Sequence, residues 1–418
     1  MTMPELLSPA GNFEKLKAAL LYGADAVYLA GNAFGMRSAA QNFTLEELYL
    51  AAEYTHGLGR KIYLTVNTIP HGHEYPALRK YLHDLKDSQI DAMIVADLGV
   101  LATVREILPD MEIHISTQAS IVSPEAARAY AALGAKRLVL ARELCLDEIK
   151  AIKAGLPDGV ELEAFIHGSM CVSYSGRCLL SHHLTERDAN RGACTQPCRW
   201  NYTIVEEKRP DVPLPIEQNS LGTFVMSSKD MCTIEHIPEL MTSGIDSFKI
   251  EGRMKSAYYT AVVTNAYRMA IDAYNADPEG FVYDPRWLRE LESVSHREYC
   301  PGYYFDSPME EPQLCQNPGY IREKAYFATA LSQDEPLPDG LIAENENGRL
   351  YYFIQRNKIC VGDSAEIISP SKLGNPFTVT ELYSEDGTPL EAAPHPSMKF
   401  YARVPFRVFE GDIIRAGD

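Results

Sequence analysis

The feature that most constrains this chain is a beat of short apolar runs separated by amphipathic stretches, which holds from Glu5 to about Gly168. Runs at 6–8, 26–30, 61–66, 92–96, 112–116, 137–141 and 161–166 read as strands. Between them, stretches at 12–22, 44–57, 75–86, 99–108, 124–133 and 146–154 carry the helical period. Asn12 and Thr44 stand where helix caps belong, and Gly23, Gly57 and Gly134 stand where helices end. An eighth strand at 247–251 follows later and feeds a helix from Ser256 to about Tyr274. Eight strands alternating with helices predict an α/β fold, a (β/α)8 TIM-like barrel. Right-handed crossovers place the helices outside and gather the strand ends on one rim. A doubly wound open sheet is the alternative, but SPAGNFEK after the first strand lacks the G-x-G-x-x-G turn of that fold.

The barrel is expected to occupy residues 1–276, interrupted by an insertion at 168–246 in which 223–226 pairs with 202–205 as a hairpin. Residues 277–322 form a connecting segment with a short helix around Trp287 and a Tyr-rich loop, HREYCPGYYFD. From 323 to 418 strand-like runs alternate with turns at NENG, CVGD and EDGTP, which predicts a small C-terminal all-β barrel domain. MTMPELLSPAGN lacks the basic and apolar regions of a signal peptide, and no run of 18 or more apolar residues occurs. A cytoplasmic protein without membrane association is expected. The net charge of -18 excludes a surface that attracts nucleic acid everywhere. Residues 171–209 nevertheless hold six basic side chains against four acidic ones, so a local patch is allowed.

That same insertion carries Cys171, Cys178, Cys194 and Cys198, with six, fifteen and three residues between successive sulfurs. In a reducing compartment such clustering points to metal ligands rather than disulfides, and the odd total of nine cysteines agrees. Thiolates select zinc or an iron–sulfur cluster. Only Cys194 and Cys198 are spaced like a zinc knuckle, which favours a 4Fe-4S cluster, with zinc as the alternative. Cys232 is a reserve ligand; Cys145, Cys300, Cys315 and Cys360 are scattered and read as core or loop residues. A nucleophile and base pair drawn from Cys171, Ser169, His167, His182 and His183 is also conceivable, although no orienting third residue is evident and H-E-x-x-H is absent.

Function in such barrels collects at the C-terminal strand ends. There FKIEGRMKS sets Lys249, Arg253 and Lys255 beside Glu251, a group suited to an anionic substrate or phosphate. We place catalysis on Lys249, Glu251, Arg253 and His167, and substrate binding on Arg142, Gln118, Asn67, Lys255 and Tyr174.

EAFIHGSMCVSYSGRCLLS resembles the signature of the collagenase-like peptidase family U32: Glu and Phe leading to Gly, then Cys, then Gly-x-Cys, then Ser. LLSPAGN, GADAVYLA and FKIEGRMKS are similar to other blocks of that family, and the segment after residue 321 looks like its C-terminal domain, so the resemblance covers nearly the whole chain. RGACTQPCRW and MSSKDM are most similar to bacterial members that act in oxygen-independent RNA hydroxylation. The resemblance implies formation of 5-hydroxyuridine at the tRNA wobble position, prephenate as the hydroxyl donor, and a cluster on Cys171, Cys178, Cys194 and Cys198. Some relatives recruit another cysteine in place of the last. It makes tRNA and a small dicarboxylic acid the expected partners; both would need the cationic rim, and bases could stack on Tyr174 or Trp200. A U32-type peptidase acting on unfolded or collagen-like polypeptide is the alternative. A non-catalytic, cluster-bearing scaffold for a family-related partner subunit is the third reading.

Overall fold

The computed structural model describes residues 3–36, 42–171, 173, 175–187, 189, 192–200, 218–219, 222–223, 228–305, 320–321, 324–334 and 337–417. Strands β1 (Glu5–Pro9), β2 (Ala26–Leu29), β3 (Lys61–Val66), β4 (Ala92–Val95), β5 (Glu112–Ile115), β6 (Arg137–Val139), β7 (Glu161–Ser169) and β8 (Ser247–Ile250) pair in parallel, each with the next. β8 also pairs with β1, through Glu5 with Ser247 and Leu7 with Lys249, and the barrel closes. Helices α1 (Phe13–Leu21), α2 (Leu45–Gly57), α3 (Tyr75–Asp84), α4 (Leu98–Ile107), α5 (Pro124–Ala132) and α6 (Leu146–Ala154) fill the predicted crossovers. Asn12 accepts from the Lys15 amide at 3.0 Å, and Thr44 and Glu47 form a reciprocal capping box, so both predicted caps hold.

The strands are buried on both faces, as an enclosed parallel sheet requires. Outward-facing residues such as Leu6, Val27, Ile62, Met93 and Phe248 join the helices in one large apolar core, while Leu7, Ala26, Tyr28, Tyr63, Ala92 and Ile94 form a separate cluster. Polar side chains fill the rest of the barrel. Arg137 bonds Glu5 at 2.5 Å and Glu163 at 3.4 Å, Tyr63 donates to Glu5 at 2.6 Å, and Lys249 pairs with Glu163 at 2.6 Å. Each of these buried charges therefore has an opposite partner, without which burial would cost several kcal/mol.

The insertion leaves at the end of β7 and includes α7 (Leu180–Thr185). Its return was not legible in the sequence: the strand Asp230–Cys232 runs antiparallel to the last residues of β7, and Tyr299–Cys300 pairs alongside it. The expected hairpin partner 202–205 lies outside the described residues; Thr223 is paired instead with Gln218. After α8 (Ile237–Met241) and β8, the twenty-residue helix α9 (Ala257–Ala276) packs on β1 and α1, and α10 (Pro285–Glu292) forms the connecting segment's helix. Among the described residues no helix is long and apolar enough to cross a membrane.

The C-terminal unit is all-β, as expected: a separate, curled antiparallel sheet from Tyr326 to Ala416 around its own apolar core. Ile368 and Ile413 of this unit belong to the barrel's core, and Tyr22 of the barrel donates to the carbonyl of Ile368 at 3.0 Å. Arg415, 3 % exposed, anchors the contact by pairing with Glu290 of α10 at 2.7 Å and with Glu366 at 2.6 Å. Lys324 also pairs with Glu366, so Glu290 depends more heavily on Arg415. Replacing Arg415 by Met strands a buried carboxylate and is expected to cost about 3–5 kcal/mol. The expected readout is a lowered urea midpoint together with faster proteolytic release of the C-terminal sheet; an unchanged midpoint would remove this pair from the docking energetics.

Candidate active site

Two connected cavities open at the C-terminal rim. The inner one, about 130 Å³, is lined by Tyr28, Thr65, Asn67, Ser116, Phe165, Lys249 and Arg253 among others. The outer one, about 380 Å³, lies beneath the insertion and is lined by Cys171, Cys178, Cys194 and Cys198 together with Glu143, Arg177, Lys255 and Tyr320. Met36, Thr117, Gln118, Arg142 and Glu251 line both and form the neck between them. Of the predicted residues, Asn67, Gln118, Arg142, Lys249, Glu251, Arg253, Lys255 and the four cysteines converge on this pair of chambers. Tyr174 lies outside the described residues.

Not every rim cation supplies free charge. Lys249 is 4 % exposed, held by Glu163 and stacked over Tyr28 at 4.3 Å; burial lowers its ammonium below the ordinary value while Glu163 pulls the other way. Burial alone would raise the Glu163 carboxyl, but Lys249 and Arg137 outweigh it and hold it below the usual carboxylate range. Arg253 is buried and donates to Thr65 at 3.2 Å, and Asn67 accepts from the Met36 amide at 3.0 Å, tying the loop after β2 to the mouth. Lys255 donates to the Ser295 carbonyl at 2.8 Å and sits 4.3 Å over the Tyr320 ring.

His167 does not reach the mouth, which corrects its placement among the catalytic residues. The register shifts between Lys249 and Ile250, so His167 pairs with Ile250 and turns away from the barrel interior. Its ring lies 5.5 Å from Tyr267 and 5.4 Å from Tyr299, and it lines neither cavity. Burial takes its pKa down to about 3. Cys232, the reserve ligand, is in the same enclosure with its thiol pushed up to about 12 by burial, and it too is absent from both cavity walls. Cys145, Cys300 and Cys360 also lie off both walls, and Cys315 is outside the described residues.

The insertion is seated by contacts that the sequence does not announce. Glu143 accepts from the Ser175 amide at 2.9 Å and from its hydroxyl at 3.0 Å, and Ser120 donates to the Ser175 carbonyl. Gly176, at φ +73°, lies so close to the end of β5 that a Cβ there would stand 2.3 Å from the Gln118 carbonyl oxygen. The Gly before Arg177 and Cys178 was the available signal, as a backbone that needs a left-handed turn and a close approach. On the far side, Thr195 bonds Ser181 of α7 at 3.2 Å, and the Gln196 amide donates to the Cys194 sulfur at 3.3 Å. Four soft donors on one cavity suit a metal or cluster. Among the described residues, however, no three His, Cys, Asp or Glu side chains are drawn together at metal-binding geometry.

A model of peptidase family U32 matches residues 11–313, and a model of the peptidase family U32 C-terminal domain matches residues 340–415. The chain is 39 % identical over 415 residues to the tRNA hydroxylation protein P1 of Bacillus subtilis (strain 168), covering 99 % of this chain and 95 % of that one. It is 34 % identical over 447 residues to the tRNA hydroxylation protein P of Escherichia coli (strain K12), covering 97 % and 94 %. It is also 35 % identical over 380 residues to the collagenase of Porphyromonas gingivalis (strain ATCC BAA-308 / W83), covering 88 % and 87 %.

Two outcomes test this geometry. The depressed Glu163 carboxyl contributes stability above its unfolded pKa of about 4.3, and that contribution is lost as pH falls through the lower folded value. Glu163→Gln is therefore expected to be less stable at pH 7, with the gap to the parent closing in urea titrations below pH of about 4. A pH-independent gap would contradict a charged Glu163. Gly176→Ala is expected to leave the thermal midpoint in place while Cys171 and Cys178 react faster with iodoacetamide, read by mass spectrometry. Unchanged labelling would mean the loop is seated by other contacts.

Proposed function

Since the chain belongs to peptidase family U32, we propose that it is an RNA-modifying enzyme that hydroxylates the wobble uridine of tRNA to 5-hydroxyuridine, without oxygen and with prephenate as hydroxyl donor. The observation that carries this reading is the meeting of four cysteines with the polar barrel mouth in one pair of chambers. The names of two relatives, both tRNA hydroxylation proteins at more than 30 % identity over nearly the full chain, support the substrate class.

Cys171, Cys178, Cys194 and Cys198 would hold a 4Fe-4S cluster, which supplies electron-transfer or Lewis-acid chemistry when bound. Around it the chain's own side chains bind and orient. Arg142, Arg177 and Lys255 line the outer chamber and outnumber Glu143 and Glu251 there, which suits phosphate and carboxylate groups. Trp200, 42 % exposed beside the last cysteine, and Tyr320, 45 % exposed at the chamber wall, offer faces on which an unstacked base can lie. The inner chamber is the smaller of the two, a place for a small co-substrate. We place the protein in the cytoplasm, where its tRNA substrate is found.

The relative named collagenase keeps peptidase activity as the second reading. His167, the nearest histidine to Cys171 in a strand, is turned into a tyrosine enclosure and lines neither chamber, which weighs against a Cys171–His167 pair.

The deciding experiment joins two measurements. Protein purified without oxygen is expected to contain iron and sulfide near four of each per chain, and deletion of its gene is expected to abolish 5-hydroxyuridine in tRNA digests. Unchanged 5-hydroxyuridine would sink the reading. Stoichiometric zinc without sulfide would replace the cluster, and gelatin hydrolysis lost in Cys171→Ala would favour the peptidase.

A further inference from the structure

The end of β7 is held by side chains from the segments that surround it. Tyr304 donates to the Phe165 carbonyl, Thr233 to the Ile166 carbonyl at 2.8 Å, Arg142 to the Ser169 carbonyl at 2.7 Å and Ser228 to the Met170 carbonyl at 2.7 Å. Cys171 is the next residue. Behind the last of these bonds stands Arg297, from the loop HREYCPGYYFD, which is fully buried. Its Nε and Nη2 donate to Oδ1 of Asp230 at 3.0 and 2.5 Å, and its amide donates to Oδ2 at 3.1 Å. Nη1 lies 3.4 Å from the Ser228 hydroxyl, and Nη2 also reaches the Met170 carbonyl at 3.5 Å. The Asp230 amide in turn donates to the Glu298 carbonyl at 2.9 Å, so the pair is tied to both strands that it joins.

Apolar residues of similar volume often stabilise a fold as well as a buried ion pair does, so this pair calls for a reason beyond stability. Its geometry is delivered to the Met170 backbone. Ser169, Met170 and Cys171 line the outer chamber, while Arg297 lines neither chamber, so the clamp ends at the cavity wall without entering it. Cys194 is mounted elsewhere: the amide of its neighbour Thr195 donates to Ser181 of α7 at 3.1 Å. Two separate mounts must therefore agree before these sulfurs can share one ligand. We propose that Arg297, Asp230 and Ser228 are positioning residues for Cys171, holding its thiol where a metal or cluster bound by the other three cysteines requires it. The clamp rests on the reading of the four cysteines as ligands, and it gives the HREYCPGYYFD loop a task at the site.

Full-length protein purified without oxygen is assayed for iron, sulfide and zinc, for the rate at which a chelator strips the bound metal, and for alkylation of Cys171 and Cys194 by iodoacetamide while loaded. Arg297→Met combined with Asp230→Leu removes both charges and leaves neither stranded. This double variant is expected to keep the parent's thermal midpoint yet lose metal about tenfold faster, with Cys171 alkylated ahead of Cys194. Ser228→Ala, a change too small to unfold the barrel, is expected to shift both readouts the same way by about threefold. Parent-like stripping and labelling in both variants would overturn the clamp and leave the cysteine ligands standing. Metal loss that tracks a lowered thermal midpoint, with Cys171 and Cys194 alkylated together, would also overturn it, since the pair would then be a stabilising contact only. Zinc without sulfide in the parent would replace the cluster, and the stripping of zinc would judge the clamp in the same way. A parent that holds neither metal would overturn the ligand reading and the clamp with it. The tRNA nucleoside analysis judges the hydroxylation reading separately.

Discussion

The barrel depends on one buried ion pair, Lys249 with Glu163, placed where β8 meets β7. Neither charge tolerates the interior alone, because desolvation exceeds any compensation that apolar walls provide. Their pairing therefore requires that β8 stand next to β7 in the register that sets Lys249 opposite Phe165 and one layer above Glu163. The same register carries Lys249 against Leu7 of β1, so closure and charge neutralisation are satisfied together. Arg137 then balances Glu5 and the second oxygen of Glu163, and the lower half of the barrel becomes a compensated polar core.

What happens above that pair decides the geometry of the mouth. β7 runs on to Ser169, well past the last residue of β8, and its end must serve two partners. The irregularity at Lys249 and Ile250 re-aims His167 outward to the tyrosines of α9 and the connecting segment, and the antiparallel strand Asp230–Cys232 covers the exposed edge. Gly168, at φ +108°, lets this strand end pass within a Cβ's reach of the Glu251 carbonyl. Arg297, fully buried, locks the cover in place through Asp230 at 2.5 Å. The first cysteine thus follows directly from a rigid strand rather than hanging on a loose loop.

Much of this was legible in the sequence because it is local. The strands, the crossover helices and the caps at Asn12 and Thr44 are set by periodicity and by side chains within three residues of their targets. Convergence of Gln118, Arg142, Glu251 and the cysteines followed from barrel topology alone, since every strand ends on one rim. The misplacement of His167 was of another kind. A one-residue slip in strand pairing reverses which face a side chain takes, and nothing in the apolar run before His167 announces that Ile166 is left unpaired against β8. Neutralisation of Lys249 was hidden for the same reason: FKIEGRMKS shows a cationic cluster, while the carboxylate that cancels one of its charges sits in another strand. Glu143 and Gly176 were visible as residues but not as the seat of the insertion, because their partners, Ser175 and the Gln118 carbonyl, meet them only in the folded barrel.

These long-range cancellations leave the mouth more selective than its composition suggests. With Lys249 satisfied from below and Lys255 drawn to the Ser295 carbonyl and the Tyr320 ring, the cation that remains at the neck is Arg142, fixed by Phe165 and Ser169. A diffuse positive rim would attract any polyanion and orient none. A single planar guanidinium between the two chambers has a fixed position and plane instead.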